Sequence, residues 1–244
     1  MRTLFNDDWF FSEYEIDEDS MFEDGQAILF KPDQFYEKAE ELIYKKVKIP
    51  HDWMIYHVKD LYKNSVGFYK KKITLHQGNV AGRYNALRFE GIYMNSAVWI
   101  NGKKAGEWKY GYSTFELDIS ELLDPSALSK EYEILVIVVY QNCNTRWYSG
   151  AGIFRDVYHI NTPETHLVND GIYFSTFPED KKVLDGKWKV KISSEIVGES
   201  PGWSISHSII DKSGKIFAKF DKDGDDFTVE KPHLWDVEDI PNPH

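Results

Sequence analysis

The amino-acid sequence predicts an all-β protein: a jelly-roll sandwich followed by a second, shorter sandwich. Three observations carry this. Short runs of alternating apolar and polar residues recur along most of the 244 residues, the period-two pattern of a strand with one dry face. The run YEILVIVVY, 132–140, is apolar apart from Glu133 and predicts a strand buried on both faces. A single stretch has helical spacing, so strands must build almost everything else.

That stretch is residues 33–46, where Phe35, Ala39, Leu42 and Ile43 recur among Glu and Lys and predict a helix. A strand follows over Gly67 to Leu75. In YNALRFEG, Leu87 and Phe89 alternate with polar neighbours. SAVWINGKKAG carries a strand into Asn101-Gly102, a hairpin signal because both residues tolerate positive φ. In STFELDIS, Phe115, Leu117 and Ile119 define one dry face. FRDVYHI closes a jelly roll over residues 1–162.

TPETHLVNDG, 162–171, reads as a linker into a second unit, 163–244. Five strands are predicted there: GIYFSTF, WKVKISSEIV, WSISHSIID, KIFAKF and DFTVE, with Ser213-Gly214 as a hairpin turn. An immunoglobulin-like sandwich uses about seven. The sequence thus predicts a chain that stops inside an incomplete immunoglobulin-like domain.

Composition bounds the function. The formal net charge of −11 repels phosphate backbones and anionic lipids, so neither nucleic acid nor membrane is an expected partner. Cys143 is the only cysteine, which excludes an intramolecular disulfide and a Cys-rich zinc site. The start, MRTLFNDDWFF, lacks the apolar core of a signal peptide, and a cytoplasmic protein is expected. Aromatic residues make up 16%, enough to raise the question of sugar stacking without answering it.

Signatures of chemistry are sparse. The sequence has no GxxxxGK[ST] and no HExxH. DKDGDD, 221–226, places its glycine too early for a calcium loop and reads as a hairpin turn. Glu90 is the most tempting single acid, yet nothing pairs it with a second carboxylate, and an edge residue hydrogen-bonded in a turn is the simpler role. His51 reads as a packing histidine, since no nucleophile neighbours it. No metal, cofactor or catalytic residue is expected in this chain.

Four stretches taken together are specific: KIPHDW (48–53), NSVGFYKKKITL (64–75), residues 87–120 and RWYSGAGIFRDVYHI (146–160). In this order they resemble the N-terminal sugar-binding domain, a galactose-binding-like jelly roll, of glycoside hydrolase family 2. The RWYSGAGIFRDV form is most similar to the β-galactosidase branch. PHLWDVEDIP, near the chain's end, resembles the immunoglobulin-like domain that follows in that family. The resemblance implies a parent whose (β/α)₈ barrel carries both catalytic Glu residues of a retaining mechanism, and whose sugar pocket this region completes without catalysing. It also implies a β-galactoside or related sugar as ligand, the barrel as partner, and a homo-oligomer in many members.

By the same resemblance, two loops contact the sugar. One supplies Asn64. The other often carries an Asp, but here reads Asn144-Thr145-Arg146-Trp147. Asn144 or Arg146 would take the polar role, and Trp147 would either contact the sugar or barrel junction or cap the sandwich core. Asn64 reads equally as a turn residue, and Arg146 equally as half of an ion pair. Asp52, Trp53, Arg155 and Asp156 read as structural, the last two as an ion pair or hydrogen-bond clamp at the loop base. Tyr110 and Tyr112 read as core or interface phenols. A free-standing carbohydrate-binding module or lectin is the alternative reading, and a structural β-sandwich adaptor a third.

Overall fold

The computed structural model describes residues 1–17, 22–23, 26–59, 61, 63–142, 148–182, 186–198, 201–210, 213–220, 226–230 and 232. The protein is all-β, with 3₁₀ turns as its described helical elements. Its strands are β1 (Arg2–Leu4), β2 (Trp9–Glu15), β3 (Phe22–Glu23), β4 (Gln26–Ala27), β5 (Lys45–Val47), β6 (Ser65–His76), β7 (Arg83–Phe89), β8 (Ser96–Ile100), β9 (Lys103–Trp108), β10 (Phe115–Asp118), β11 (Ser129–Tyr140) and β12 (Val157–Pro163). They continue as β13 (His166–Pro178), β14 (Lys187–Val197), β15 (His207–Ile210), β16 (Ile216–Phe220) and β17 (Asp226–Glu230). The chain divides into two compact units, Met1–Pro163 and Glu164–His244.

The first unit is a sandwich of two antiparallel sheets, in the orders β1-β12-β7-β10 and β5-β2-β6-β11-β8-β9. Aromatic and β-branched side chains from their inner faces meet in one core, including Trp9, Phe11, Tyr69, Leu87, Phe89, Phe115, Tyr132 and Val136. Each such aliphatic or aromatic side chain contributes roughly 1.5–3 kcal/mol by leaving water. β1 pairs with β12, Arg2 opposite Ile160, and the terminal ammonium of Met1 donates to the Asn161 carbonyl. The first and last strands of the unit are therefore neighbours.

β11 explains the apolar run at 134–140. Its 12-residue ladder with β6 and its pairing with β8 place it in the interior of the larger sheet. Tyr132, Ile134, Val136, Val138 and Tyr140 face the sandwich core. Leu135, Ile137 and Val139 face a second core on the outer side, shared with Phe68 and Trp99.

The cover over that outer core is the segment predicted to be a helix, and it is not an α-helix. It forms two 3₁₀ turns, Pro32–Phe35 and Glu37–Glu40, and then runs into β5. Tyr36, Ala39 and Leu42 pack on the outer core at intervals of three, the repeat of a 3₁₀ turn. Ile43, assigned from sequence to the apolar face, is 92% exposed.

Asn101 and Gly102 make the β8–β9 turn with φ of 45° and 80°, the positive-φ pair such hairpins require. The linker expected at 162–171 shrinks to Glu164 and Thr165, because β12 ends at Pro163 and β13 starts at His166. The turn-like residues VNDG lie inside β13, where the register against β14 shifts between Leu167 and Ile172, and Asp170 takes φ 60°. The turn chemistry marks a bulge rather than a linker.

The second unit contains the five predicted strands, as a three-stranded sheet, β13-β14-β17, and the hairpin β15-β16. Val190, Ile192, Ala218 and Phe220 form its core with Ile209, Phe227 and Val229. Gly214, φ 84°, turns the hairpin. Among the described residues no helix is long and apolar enough to cross a membrane.

Candidate functional site

One end of the larger sheet gathers the loops singled out from sequence. Ser65, at the start of β6, faces both Glu15, where β2 ends, and Tyr140, where β11 ends. Asn64 stands immediately before this junction and is half-buried. Its carbonyl accepts from the Ile16 N–H at 3.1 Å. Its Oδ1 accepts from the Asn142 N–H at 2.6 Å. Asn64 therefore ties two strand ends together, which accounts for an amide here in local terms. No partner engages its Nδ2 among the described residues, so that donor is the group it can offer to a hydroxyl.

Asn144, Arg146 and Trp147, the other three candidate contacts, lie outside the described residues, as do Cys143 and most of DKDGDD. Both flanks of the segment are built, however. Asn142 is held by Asn64 on one side. On the other, Asp52 receives the returning chain: its Oδ2 accepts from the Tyr148 hydroxyl at 2.6 Å, and its Oδ1 from the Ala151 N–H at 3.0 Å. The same Oδ1 accepts from the Met54 N–H, also at 3.0 Å. Burial, and then the Asp52 carboxylate, push the Tyr148 phenol well above its ordinary range, so it stays a donor. Neither Asn142 nor Tyr148 was singled out from sequence as a site residue.

The stretch 51–53 runs beside 151–153, with His51 N–H to Ile153 O at 2.8 Å and Trp53 N–H to Ala151 O at 3.1 Å. Gly152 sits between them at φ 127°, where a Cβ would lie 2.4 Å from the His51 carbonyl oxygen. Only glycine fits this crossing. Trp53 is 1% exposed and donates from Nε1 to Ser65 Oγ at 3.0 Å. Its ring lies where a Cβ on residue 67 would be, 2.4 Å away, so Gly67 is set by Trp53. Asp52 and Trp53 are structural, as read from sequence.

His51 is buried, lies 4.6 Å from the Phe11 ring centre and pairs its Nδ1 with the Tyr69 hydroxyl at 2.9 Å. Burial, aided by Lys45, lowers its pKa to about 4, so it is neutral near pH 7 and acts in packing. Glu90 is held by Arg2 at 2.6 Å while its N–H donates to Asp156 O, the structural role expected. The Arg155–Asp156 clamp takes a different form. Asp156 accepts from Asn6 Nδ2 at 2.8 Å and from the Tyr158 hydroxyl at 3.2 Å. Arg155 instead lies over the Phe154 ring, 5.2 Å from its centre. Both residues precede β12, which starts at Val157. Tyr112 packs on Tyr93 at 5.0 Å, while Tyr110 is 62% exposed.

The loop end of the first unit thus carries an amide donor beside a return chain clamped by Asp52. No group of His, Cys, Asp and Glu among the described residues could hold a metal ion. Residues 4–163 match the sequence profile described as glycosyl hydrolases family 2, sugar binding domain, and the chain belongs to that family. It is 28% identical over 222 residues to a β-galactosidase of Bacteroides ovatus, covering 80% of this chain and 25% of the relative. It is 26% identical to a putative β-glucuronidase of Formosa agariphila, covering 98% of this chain and 22% of the relative. The solved β-glycosidase of Bacteroides vulgatus superposes with a TM-score of 0.72 at 23% identity, over 98% of this chain and 30% of that one. The chain spans about a quarter of the length of the curated relatives it matches.

Proposed function

We propose that this chain is the non-catalytic N-terminal region of a retaining β-glycosidase, and that its parent is a β-galactosidase. The sugar pocket is completed by Asn64 together with Asn144, Arg146 and Trp147, while a (β/α)₈ barrel of the parent supplies the acid/base and nucleophile. The observation that carries this is the placement of Asn64: it anchors one flank of the 143–147 segment through Asn142 and keeps Nδ2 for a ligand. An amide donor held at a strand end costs little to order when it meets a sugar hydroxyl.

The β-galactoside assignment draws on the Bacteroides ovatus relative and on the RWYSGAGIFRDV form. A cytoplasmic parent, homo-oligomeric through contacts of this region, belongs to the same reading. The first test is the gene downstream of the His244 codon: a frame running into a barrel with two Glu residues on its strand ends is expected, and a stop codon overturns the enzyme reading. The second is hydrolysis of aryl β-galactoside against aryl β-glucuronide by the parent. Preference for the glucuronide would move the substrate class and leave the domain's role standing. Sub-millimolar galactose binding by the 244-residue chain alone would favour the lectin alternative, since most contacts of a deep pocket are expected from the barrel.

A further inference from the structure

A cavity of about 340 Å³ opens at the same end of the sheet as Asn64. Its walls are apolar: Leu29, Phe30, Met94 and Val139. Val139 belongs to the outer core, Phe30 and Met94 are partly buried, and Leu29 is 80% exposed at the mouth. One wall is a strap formed by residues 28–30. Gln141 Nε2 donates to the Ile28 carbonyl at 2.8 Å, and the Phe30 N–H donates to Gln141 Oε1 at 2.8 Å. Asn95 Nδ2 donates to the Phe30 carbonyl at 2.7 Å. The strap is thus pinned at three points, and the cavity is built into the fold.

Its charge is unusual for this molecule. Acidic residues outnumber basic ones 40 to 29 in the chain, yet the described lining holds Lys31 and Lys109 and no carboxylate. The carboxylates two residues away from each lysine, Asp33 and Glu107, are both taken by Lys104, at 2.6 and 2.8 Å. Neither Lys31 nor Lys109 enters an ion pair among the described residues. Another cavity shows the contrast: Lys70, Lys71 and Lys72 line it together with Asp8 and Glu133, and Glu40 and Glu131 pair with Lys70 and Lys72 at 2.7 and 2.8 Å.

We infer that the cavity binds a small apolar body bearing a single anionic group, an aromatic or aliphatic carboxylate or sulfate, with the body against Met94 and Leu29 and the anion between Lys31 and Lys109. A uronic acid fits less well. Its ring hydroxyls would need several partners, and Asn95 Nδ2 and both polar atoms of the Gln141 amide already bond the strap. Asn142, held by Asn64 Oδ1, forms part of the lining. The cavity therefore shares a wall with the proposed sugar site, and the ligand is the aglycone of a glycoside. This last step rests on the function proposed above; binding itself does not.

Calorimetric titration of the full 244-residue chain with naphthoate and with its neutral counterpart naphthamide tests the inference. Naphthoate should bind about ten-fold more tightly at low salt, as two exposed charge contacts allow, and the preference should shrink as salt is raised. The double variant Lys31→Glu, Lys109→Glu should reverse it, while Leu29→Ala should weaken both probes alike. Both lysines and Leu29 are exposed, and unchanged thermal unfolding of the variants would show that the fold survives. Equal affinity for the two probes, no binding of either, insensitivity to the lysine variants, or tighter binding of glucuronate than of naphthoate would each overturn it. If naphthoate binds as expected but the parent cleaves no glycoside, the cavity stands and the glycosidase reading falls.

Discussion

Asp52 and Tyr148 are 96 residues apart in sequence and joined by a 2.6 Å hydrogen bond. The same carboxylate receives the N–H groups of Met54 and Ala151. One side chain therefore fixes both the turn after strand-like residues 51–53 and the chain that returns from 143–147. Tyr148→Phe removes one charge-assisted bond at a partly exposed site and should lower stability by about 1 kcal/mol. Asp52→Ala orphans three donors and should cost on the order of 2–4 kcal/mol. Denaturant unfolding checks both; a smaller loss for Asp52→Ala than for Tyr148→Phe would refute the clamp.

Asn64 has two separable duties, and two substitutions divide them. Asn64→Ala loses the acceptor for the Asn142 N–H and should destabilise the chain by about 1–2 kcal/mol. Asn64→Asp keeps that acceptor and removes the Nδ2 donor, so stability should change little. In the parent enzyme both should lower kcat/KM, by on the order of 1–3 kcal/mol of transition-state stabilisation. Full activity in Asn64→Asp would leave Asn64 with its structural duty alone.

Gly67 is set by the ring of Trp53. Gly67→Ala places a methyl group 2.4 Å from that ring, and the resulting overpacking should cost roughly 1–3 kcal/mol. Pairing it with Trp53→Leu should recover part of the loss relative to the sum of the two single changes. Strict additivity of the two, measured by thermal unfolding, would contradict direct contact.

Stability should depend on pH through His51. Its folded pKa, about 4, lies below the ordinary 6.5 because the ring is buried. The unfolded chain therefore binds the extra proton between pH 6.5 and 4, and stability falls as pH falls through that window, by on the order of 2–3 kcal/mol. Burial also lowers the pKa of His159, which adds a loss of the same sign. His51→Gln should flatten the slope without abolishing it. An unchanged Tm between pH 7 and 4 would contradict a buried neutral imidazole.

Much of the fold was legible because its determinants are local. Alternation marked β10, and Asn101-Gly102 marked the β8–β9 hairpin. The run at 132–140 announced a doubly covered strand. The departures have physical causes. Apolar residues at spacings of three and four are shared by α- and 3₁₀-helices, so the covering segment 32–40 read as the longer element. The bulge in β13 uses the same Asn-Asp-Gly chemistry as a linker, and only pairing against β14 tells them apart. For the site, Asn64 was legible as a residue but its bond to Asn142 was not. A contact spanning 78 positions leaves no local periodicity, and the same holds for Tyr148 on Asp52.

The pairing of β1 with β12 bears on how the protein is made. Arg2 leaves the ribosome long before its partner Ile160, which emerges almost at the end of the unit. At cellular elongation speeds the interval is roughly 10–30 s. Throughout it Trp9 and Phe11 belong to a nascent chain that cannot close its sandwich. The first unit is therefore expected to collapse late and in one step after Pro163 clears the exit tunnel, and until then its aromatic N-terminal strand is a natural client for chaperones that read apolar segments.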